Sequence, residues 1–186
     1  MRILVGCESS GIVREAFRAK GHDAVSCDVT NSEQKGPHIK GNVLDHLEDG
    51  WDMLIAFPPC TYLTRAQNGF GREWIYCDEF IEARDLALLF VAALLNAPIP
   101  KIALENPPGA IATHIMPSTQ RIHPWQFGHP IEKTTCLWLK GLPPLVPTCI
   151  ASYPRVPWLK VAHTPRDRSR TFPGIARAMA QQWSPD

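Results

Sequence analysis

The chain has 186 residues, 45% hydrophobic and 20% charged, with a formal net charge of +1, which suits one domain with a sizeable buried core and excludes a disordered, highly charged tail. Its longest uncharged apolar run, Leu86 to Leu95, is about half of the roughly 20 residues a membrane span needs, and Met1-Arg2 leads straight into a strand-like segment, so neither a membrane anchor nor a signal peptide is expected. The six cysteines (7, 27, 60, 77, 136 and 149) contain no C-x-x-C pair, which argues against a disulfide framework or zinc knuckle and for a reduced, cytoplasmic protein.

In chain order, Arg2 to Gly6 (RILVG) is a short apolar run closed by glycine, read as a first strand. Ser9-Ser10 then offers N-caps for a helix whose apolar residues Ile12, Val13 and Phe17 have helical spacing up to Lys20, with Gly21 closing it. Ala24 to Asp28 is a second strand ending in an acid, and Asp52 to Phe57 a third, ended by Pro58-Pro59. Ile75 to Asn96 reads as a long helix with Asp78, Glu79 and Glu82 in its first turns and an apolar second half that should be buried. Pro98 and Pro100 stop it; Lys101 to Leu104 is a fourth strand, Thr134 to Lys140 a fifth, and Gly174 to Trp183 a last helix. The expected fold is α/β: one Rossmann-like domain with a mostly parallel sheet, its first half spanning residues 1–97 and a proline-rich, loop-dominated second half spanning 98–186.

Two compositional asymmetries support that division. Of 18 prolines, 15 lie at or after Pro98, in a chain with about twice the usual share of roughly 5%. Arg155 to Arg177 holds six Lys or Arg against the single Asp167, so that end is a candidate for phosphate contact.

The unusual residues fall at strand ends, where ligands of open parallel sheets bind because helix N-termini and short loops converge there. Gly6-Cys7-Glu8-Ser9-Ser10-Gly11 follows the first strand, and its glycines would let backbone approach a ligand. Asp28 follows the second and could accept hydrogen bonds from a ribose. Pro58-Pro59-Cys60 follows the third and Glu105-Asn106-Pro107 the fourth. Taken singly these are a turn, a cap, a small buried hydrophobe and a strand-end acid. Together they place a thiol and a carboxyl across the mouth of a sheet beside a nucleoside site.

That order of motifs resembles the cytosine C5-methyltransferases, which use S-adenosyl-L-methionine. The resemblance implies that Gly6, Cys7, Glu8, Ser9 and Gly11 hold the methionine part of the cofactor, Asp28 the ribose, and Asn42 the position near the adenine where the family usually has Asp. Pro58 would also lie against the cofactor, and Ser169 to Gly174, with Thr171 and Phe172, looks like the family's C-terminal segment that returns to it. Cys60 would add as a thiolate to carbon 6 of cytosine, making carbon 5 nucleophilic enough to take a methyl group. Glu105 would protonate or hydrogen-bond nitrogen 3. Pro59, Asn106 and Pro107 would shape the substrate side. The family's paired arginines are missing, and Lys133, entering the fifth strand, is the candidate substitute. Arg65 and Arg72 could bring phosphate-binding charge from a cover over the site.

The family's target-recognition region has no counterpart, since Gly109 to Arg170 must hold a strand and two loops. The expected substrate is therefore DNA read with low sequence specificity, a single strand, or a free cytosine nucleotide, unless a protein partner supplies specificity. Trp125, Phe127, Tyr153 and Trp158, interleaved with Arg121, Arg155 and Lys160, are either base-stacking groups or packing for a proline-rich lobe. Two other readings stay open: an amino-methyltransferase, to which Asn106-Pro107-Pro108 partly conforms, and a catalytically silent homologue that binds cofactor or DNA.

Overall fold

The computed structural model describes residues 1–64, 77–152 and 154–185. In chain order it has β1 (Arg2–Gly6), α1 (Ile12–Arg18), β2 (Asp23–Asp28), β3 (His38–Lys40), β4 (Met53–Ala56), α2 (Asp78–Leu95), β5 (Lys101–Asn106), α3 (Ala110–His114), β6 (Gln120–Ile122), β7 (Ile131–Glu132), β8 (Thr135–Lys140), β9 (Val156–Pro157), α4 (Pro165–Ser169) and α5 (Pro173–Gln182). Seven strands form one sheet in the order β3-β2-β1-β4-β5-β8-β6, and β7 pairs with β9 separately. From β3 to β5 the pairs are parallel, whereas β8 is antiparallel to both β5 and β6. The expected Rossmann-like, mostly parallel α/β sheet is thus observed.

Strand composition explains the layering. In β1, Ile3 and Val5 join one core with Phe17 of α1 and Met179 of α5, while Leu4 between them joins a second core with Leu94 of α2. β4 divides likewise: Met53 and Ile55 face the first core, Leu54 and Ala56 the second. All these residues have zero exposure or nearly so, and strands covered on both faces read as unbroken apolar runs rather than alternating ones. The order reverses at β1, which has β2 on one side and β4 on the other. Beyond the carboxyl ends of β1 and β4 is therefore the topological switch point where such sheets bind ligands.

Several expectations are corrected. The serines do not cap α1 as expected: Gly11 occupies the cap position with left-handed backbone, and Ser10 Oγ accepts only the Ile12 amide, at 3.2 Å. The apolar second half of α2 is not fully buried, since Leu86 and Leu89 are 60% and 67% exposed. Helix formation there needs one packed stripe, which Phe80, Val91 and Leu94 supply. Short β3 and β6 and helices α3 and α4 carry too few residues for a periodic signal and were not anticipated. Residues 65–76, including the start of the helix expected from Ile75, lie outside the described residues.

Candidate active site

The cleft at the switch point is about 530 Å³, within the range of small-molecule sites. Cys7 after β1, Phe57 to Cys60 after β4, Glu105 and Asn106 at the end of β5 with Pro107 and Pro108 after them, and Lys133 to Thr135 at β8 line it, closed by Trp158 and the segment Arg168 to Phe172. Antiparallel β8 brings Lys133 here. Because Asn106 pairs with Cys136 and Glu105 with Leu137, the entry of β8 lies beside the exit of β5.

The thiol stands on the loop after β4 and the carboxyl at the end of β5, and the two segments are locked to each other. Past Pro58-Pro59 the chain turns tightly, with the amides of Leu63 and Thr64 both donating to the Cys60 carbonyl at 3.0 Å. Asn106 is 1% exposed, and its Nδ2 donates to the Pro58 carbonyl at 2.8 Å. The Ala110 amide donates to the Leu63 carbonyl at 2.7 Å. That crossing explains Gly109, whose position would put any Cβ 1.7 Å from the Leu63 oxygen.

Glu105 accepts a hydrogen bond from Thr135, and enclosure in the cleft pushes its carboxyl above the usual range, opposed by Lys133 and that bond. Cys60 is open to solvent, yet its thiol is also pushed up, first by desolvation among the cleft walls and then by Glu105, with Lys133 acting the other way. The three groups therefore form one electrostatic cluster, in which the acid is biased towards its neutral form and the cation moderates both neighbours. Lys133 Nζ lies 5.5 Å from the centroid of the Trp158 ring and 3.5 Å from the Arg168 carbonyl.

The Gly6 to Gly11 turn is directed largely inward. Glu8 is 5% exposed; its carboxylate accepts from Ser10 Oγ at 2.9 Å and from the amides of Val13 at 2.8 Å and Arg14 at 3.4 Å, so it caps α1 from beneath. A Cβ at Gly6 would lie 2.7 Å from Val43 Cγ2, and one at Gly11 would lie 2.6 Å from Arg14 Nη2. Both glycines thus answer to internal packing. The Ser9 carbonyl accepts the Glu33 amide at 2.8 Å. From this turn Cys7 reaches the cleft, held with φ at 57°. Burial and the charge of Asp28 raise its thiol pKa to about 12, so it is neutral. Left-handed backbone costs a non-glycine residue about 1–2 kcal/mol, and Cys7→Gly should raise unfolding stability by up to about 1 kcal/mol, glycine's greater unfolded entropy offsetting part of the relief. Chemical denaturation checks this, and a destabilised variant would mean that the sulfur's packing outweighs the strain.

Asp28 and Asn42 lie beside the cleft, not in its wall. Asp28 Oδ1 accepts from the amide and hydroxyl of Thr30, both at 2.8 Å. Asn42 Oδ1 accepts the Leu44 amide at 3.1 Å and caps a 3-10 turn over Val43–His46. Thr171 and Phe172 do line the cleft, and Phe172 packs on Trp158 and His129 at centroid distances of 4.8 and 5.2 Å. Arg65, Arg72 and Tyr153 lie outside the described residues.

Some contributors carried no signal legible in the sequence. Thr135 bonds the acid, and His129 Nε2 accepts the Gly174 amide at 2.9 Å, so the neutral ring carries its proton on Nδ1. Of the four interleaved aromatics, Phe127 is 2% exposed and belongs to the packing. Trp125 is covered by Arg155, 3.6 Å from its ring centroid, and stacks with His123.

No protein-family model and no curated protein matches the chain. Among solved structures it is similar to a protein assigned as a DNA modification methyltransferase encoded within an E. coli prophage. The two share 15% identity with a TM-score of 0.47, over 81% of this chain and 52% of that one. The chain thus spans about half the length of that protein.

Proposed function

We propose that the chain is an S-adenosyl-L-methionine-dependent methyltransferase that methylates carbon 5 of cytosine, in DNA or in a related cytosine-containing substrate, and that residues 1–186 work as one such domain. The observation that carries this reading is the convergence of Cys60, Glu105 and Lys133, from three separate strand ends, on one cleft at the switch point. The cleft has the position and volume for the cofactor, beside Cys7 and Pro58, with Asp28 next to it for the ribose. When bound, the cofactor supplies an electrophilic methyl group carried on a sulfonium.

Carbon 5 of cytosine is a weak nucleophile. Once its thiol proton has passed to solvent, Cys60 forms a bond from Sγ to carbon 6, while Glu105, biased towards its protonated form by enclosure, donates a proton to nitrogen 3 so that no anion accumulates on the ring. Lys133 offers the cation for the pyrimidine carbonyl oxygen. Carbon 5 takes the methyl group and its proton passes to solvent; the electron pair left behind breaks the bond from Sγ to carbon 6, and nitrogen 3 gives its proton back to the Glu105 carboxylate, so that thiolate, acid and neutral product are all recovered. Asn106, through the Pro58 carbonyl, and Pro59 and Pro107 keep the two reacting segments in register.

The amino-methyltransferase alternative fits less well. Its turn needs an aromatic ring where Gly109 stands, and Gly109 lies under the Leu63 carbonyl, leaving no room for a ring. Labelled methyl transfer over duplex DNA, single strands, RNA and free cytidine nucleotides tests the proposal; product on carbon 5 supports it, and no transfer to any of these would leave a silent binding module. Calorimetry should also show cofactor binding weakened in Asp28→Ala by about 0.5–3 kcal/mol, as hydrogen bonds to a charged acceptor are lost. Unchanged affinity would remove the ribose role.

The same geometry bears on partners. Arg170 is paired with Glu33 and Asp167, and Arg155 covers Trp125, so fewer cations of the basic end meet phosphate than the sequence suggests. The chain acting alone should show little sequence preference on duplex DNA, since base readout needs side chains in the major groove over roughly 1,000 Å² or more. Methylation confined to one short duplex motif would overturn that.

A further inference from the structure

The loop between β2 and β3 and the segment between α4 and α5 are far apart in sequence, yet one ion pair joins them beside the cleft. Arg170 Nη2 donates to Glu33 Oε2 at 2.5 Å; the Glu33 side chain is 15% exposed and that of Arg170 40%. Both partners are held from behind. The Glu33 amide donates to the Ser9 carbonyl at 2.8 Å, which fixes the loop on the first turn of the fold. Arg170 Nη1 lies 3.9 Å from Asp167 Oδ1, and Asp167 is itself fixed by Thr164, whose hydroxyl donates to Oδ2 at 2.7 Å. The two residues that follow Arg170 are Thr171 and Phe172, which line the cleft.

We infer that Glu33 and Arg170 form a clasp that sets cofactor affinity by holding Thr171 and Phe172 in the wall of the cleft that Cys7 also lines. The inference rests on the methyltransferase reading above and gives these two residues a positioning role. Besides the pair, residues 168–172 have the bond from Arg168 Nε to the Ala162 carbonyl at 3.2 Å, that from Lys133 Nζ to the Arg168 carbonyl, and the packing of Phe172 on Trp158 and His129, and none of these contacts reaches the β2–β3 loop. The wall of the cleft then samples positions in which Thr171 and Phe172 no longer meet a ligand seated at Cys7, and a ligand must meet the cost of ordering them.

The test uses the full chain with Glu33→Gln, Arg170→Gln, the double variant and Arg170→Lys. Hydrogen exchange is read without ligand, and calorimetry is run with S-adenosylmethionine and with its demethylated product. Each neutral variant should speed exchange across residues 168–172, and should weaken both ligands on the order of three- to tenfold, the range expected of a charge-assisted pair that is partly exposed. The double variant should be no weaker than the worse single one, because the pair acts as a unit, and Arg170→Lys should recover part of the affinity. Faster exchange at residues 168–172 in Glu33→Gln is the discriminating readout, since the substitution lies in a different loop. Wild-type binding with unchanged affinity in both single variants overturns the clasp alone, as does unchanged exchange. A wild-type chain that binds neither ligand overturns the clasp and the methyltransferase reading together.

Discussion

Cys60→Ala should abolish methyl transfer while leaving cofactor affinity within about twofold, because in the proposed reaction its thiol supplies the bond to carbon 6, and the other thiol in the cleft wall, Cys7, is pushed up to about 12 by burial and stays neutral. A substrate carrying 5-fluorocytosine should form a covalent adduct with the wild-type chain and none with the variant, since fluorine cannot leave as the proton does. Glu105→Gln should slow transfer by roughly 10²–10⁴-fold, the loss typical of a general acid. The pH profile supplies a second readout. Glu105 has its pKa raised by enclosure, so the folded chain holds a proton that the unfolded chain has released. Stability from this group is therefore full below the ordinary carboxylate pKa and is lost as pH rises through the raised value. Glu105→Gln has nothing to titrate, so its thermal midpoint should gain on the wild type as pH rises through that window. Full activity in Cys60→Ala, or a midpoint difference that does not move with pH, would refute these assignments.

The largest loss of stability is expected away from the chemistry. Arg14 has zero exposure, and its guanidinium organises the β2–β3 loop. Nη1 donates to Ser26 Oγ at 2.8 Å and Ser32 Oγ at 3.0 Å, Nη2 to the carbonyls of Gln34 at 3.2 Å and Lys35 at 3.1 Å, and Nε to Glu15 Oε1 at 2.7 Å. Arg14→Leu keeps much of the volume but strips donors from acceptors that are wholly or partly buried, each costing about 1–3 kcal/mol where water cannot replace the donor. The expected total is roughly 3–5 kcal/mol, read as a lower denaturant midpoint, with Arg14→Lys recovering little because a point charge cannot fork to several acceptors. A variant within 1 kcal/mol of wild type would show that the loop finds other partners.

How far the sequence reached can be traced residue by residue. Strands β1, β2, β4, β5 and β8 were legible because their apolar runs are punctuated by Gly6, Asp28, Pro58 and Pro100, and Lys133 could be proposed as a cation of the site. The direction of β8 was not legible, since no local pattern distinguishes a parallel from an antiparallel strand of this length, and it is that direction which brings Lys133 beside Glu105. The inner side of the glycine turn was not legible: Glu8 accepts the amides of Val13 and Arg14 in α1, and the Arg14 guanidinium lies where a side chain at Gly11 would be. Glu33, Thr135 and His129 were missed for the same reason: their partners are fixed by tertiary contact, for which spacing carries no signal.

The contacts of Arg14 have a consequence for variation among sequences of this fold. Three of the loop groups it holds are main-chain carbonyls, those of Gln34, Lys35 and Pro37. Every residue type carries the same carbonyl, so at these positions the course of the loop is dictated from α1 and not by the side chains of Gln34, Lys35 or Pro37. Positions 34 and 35 are then open to almost any substitution without redirecting the chain, while Glu33 and Ser32, which act through side chains, are not. At those two positions the segment can thus drift in surface chemistry with its backbone unmoved.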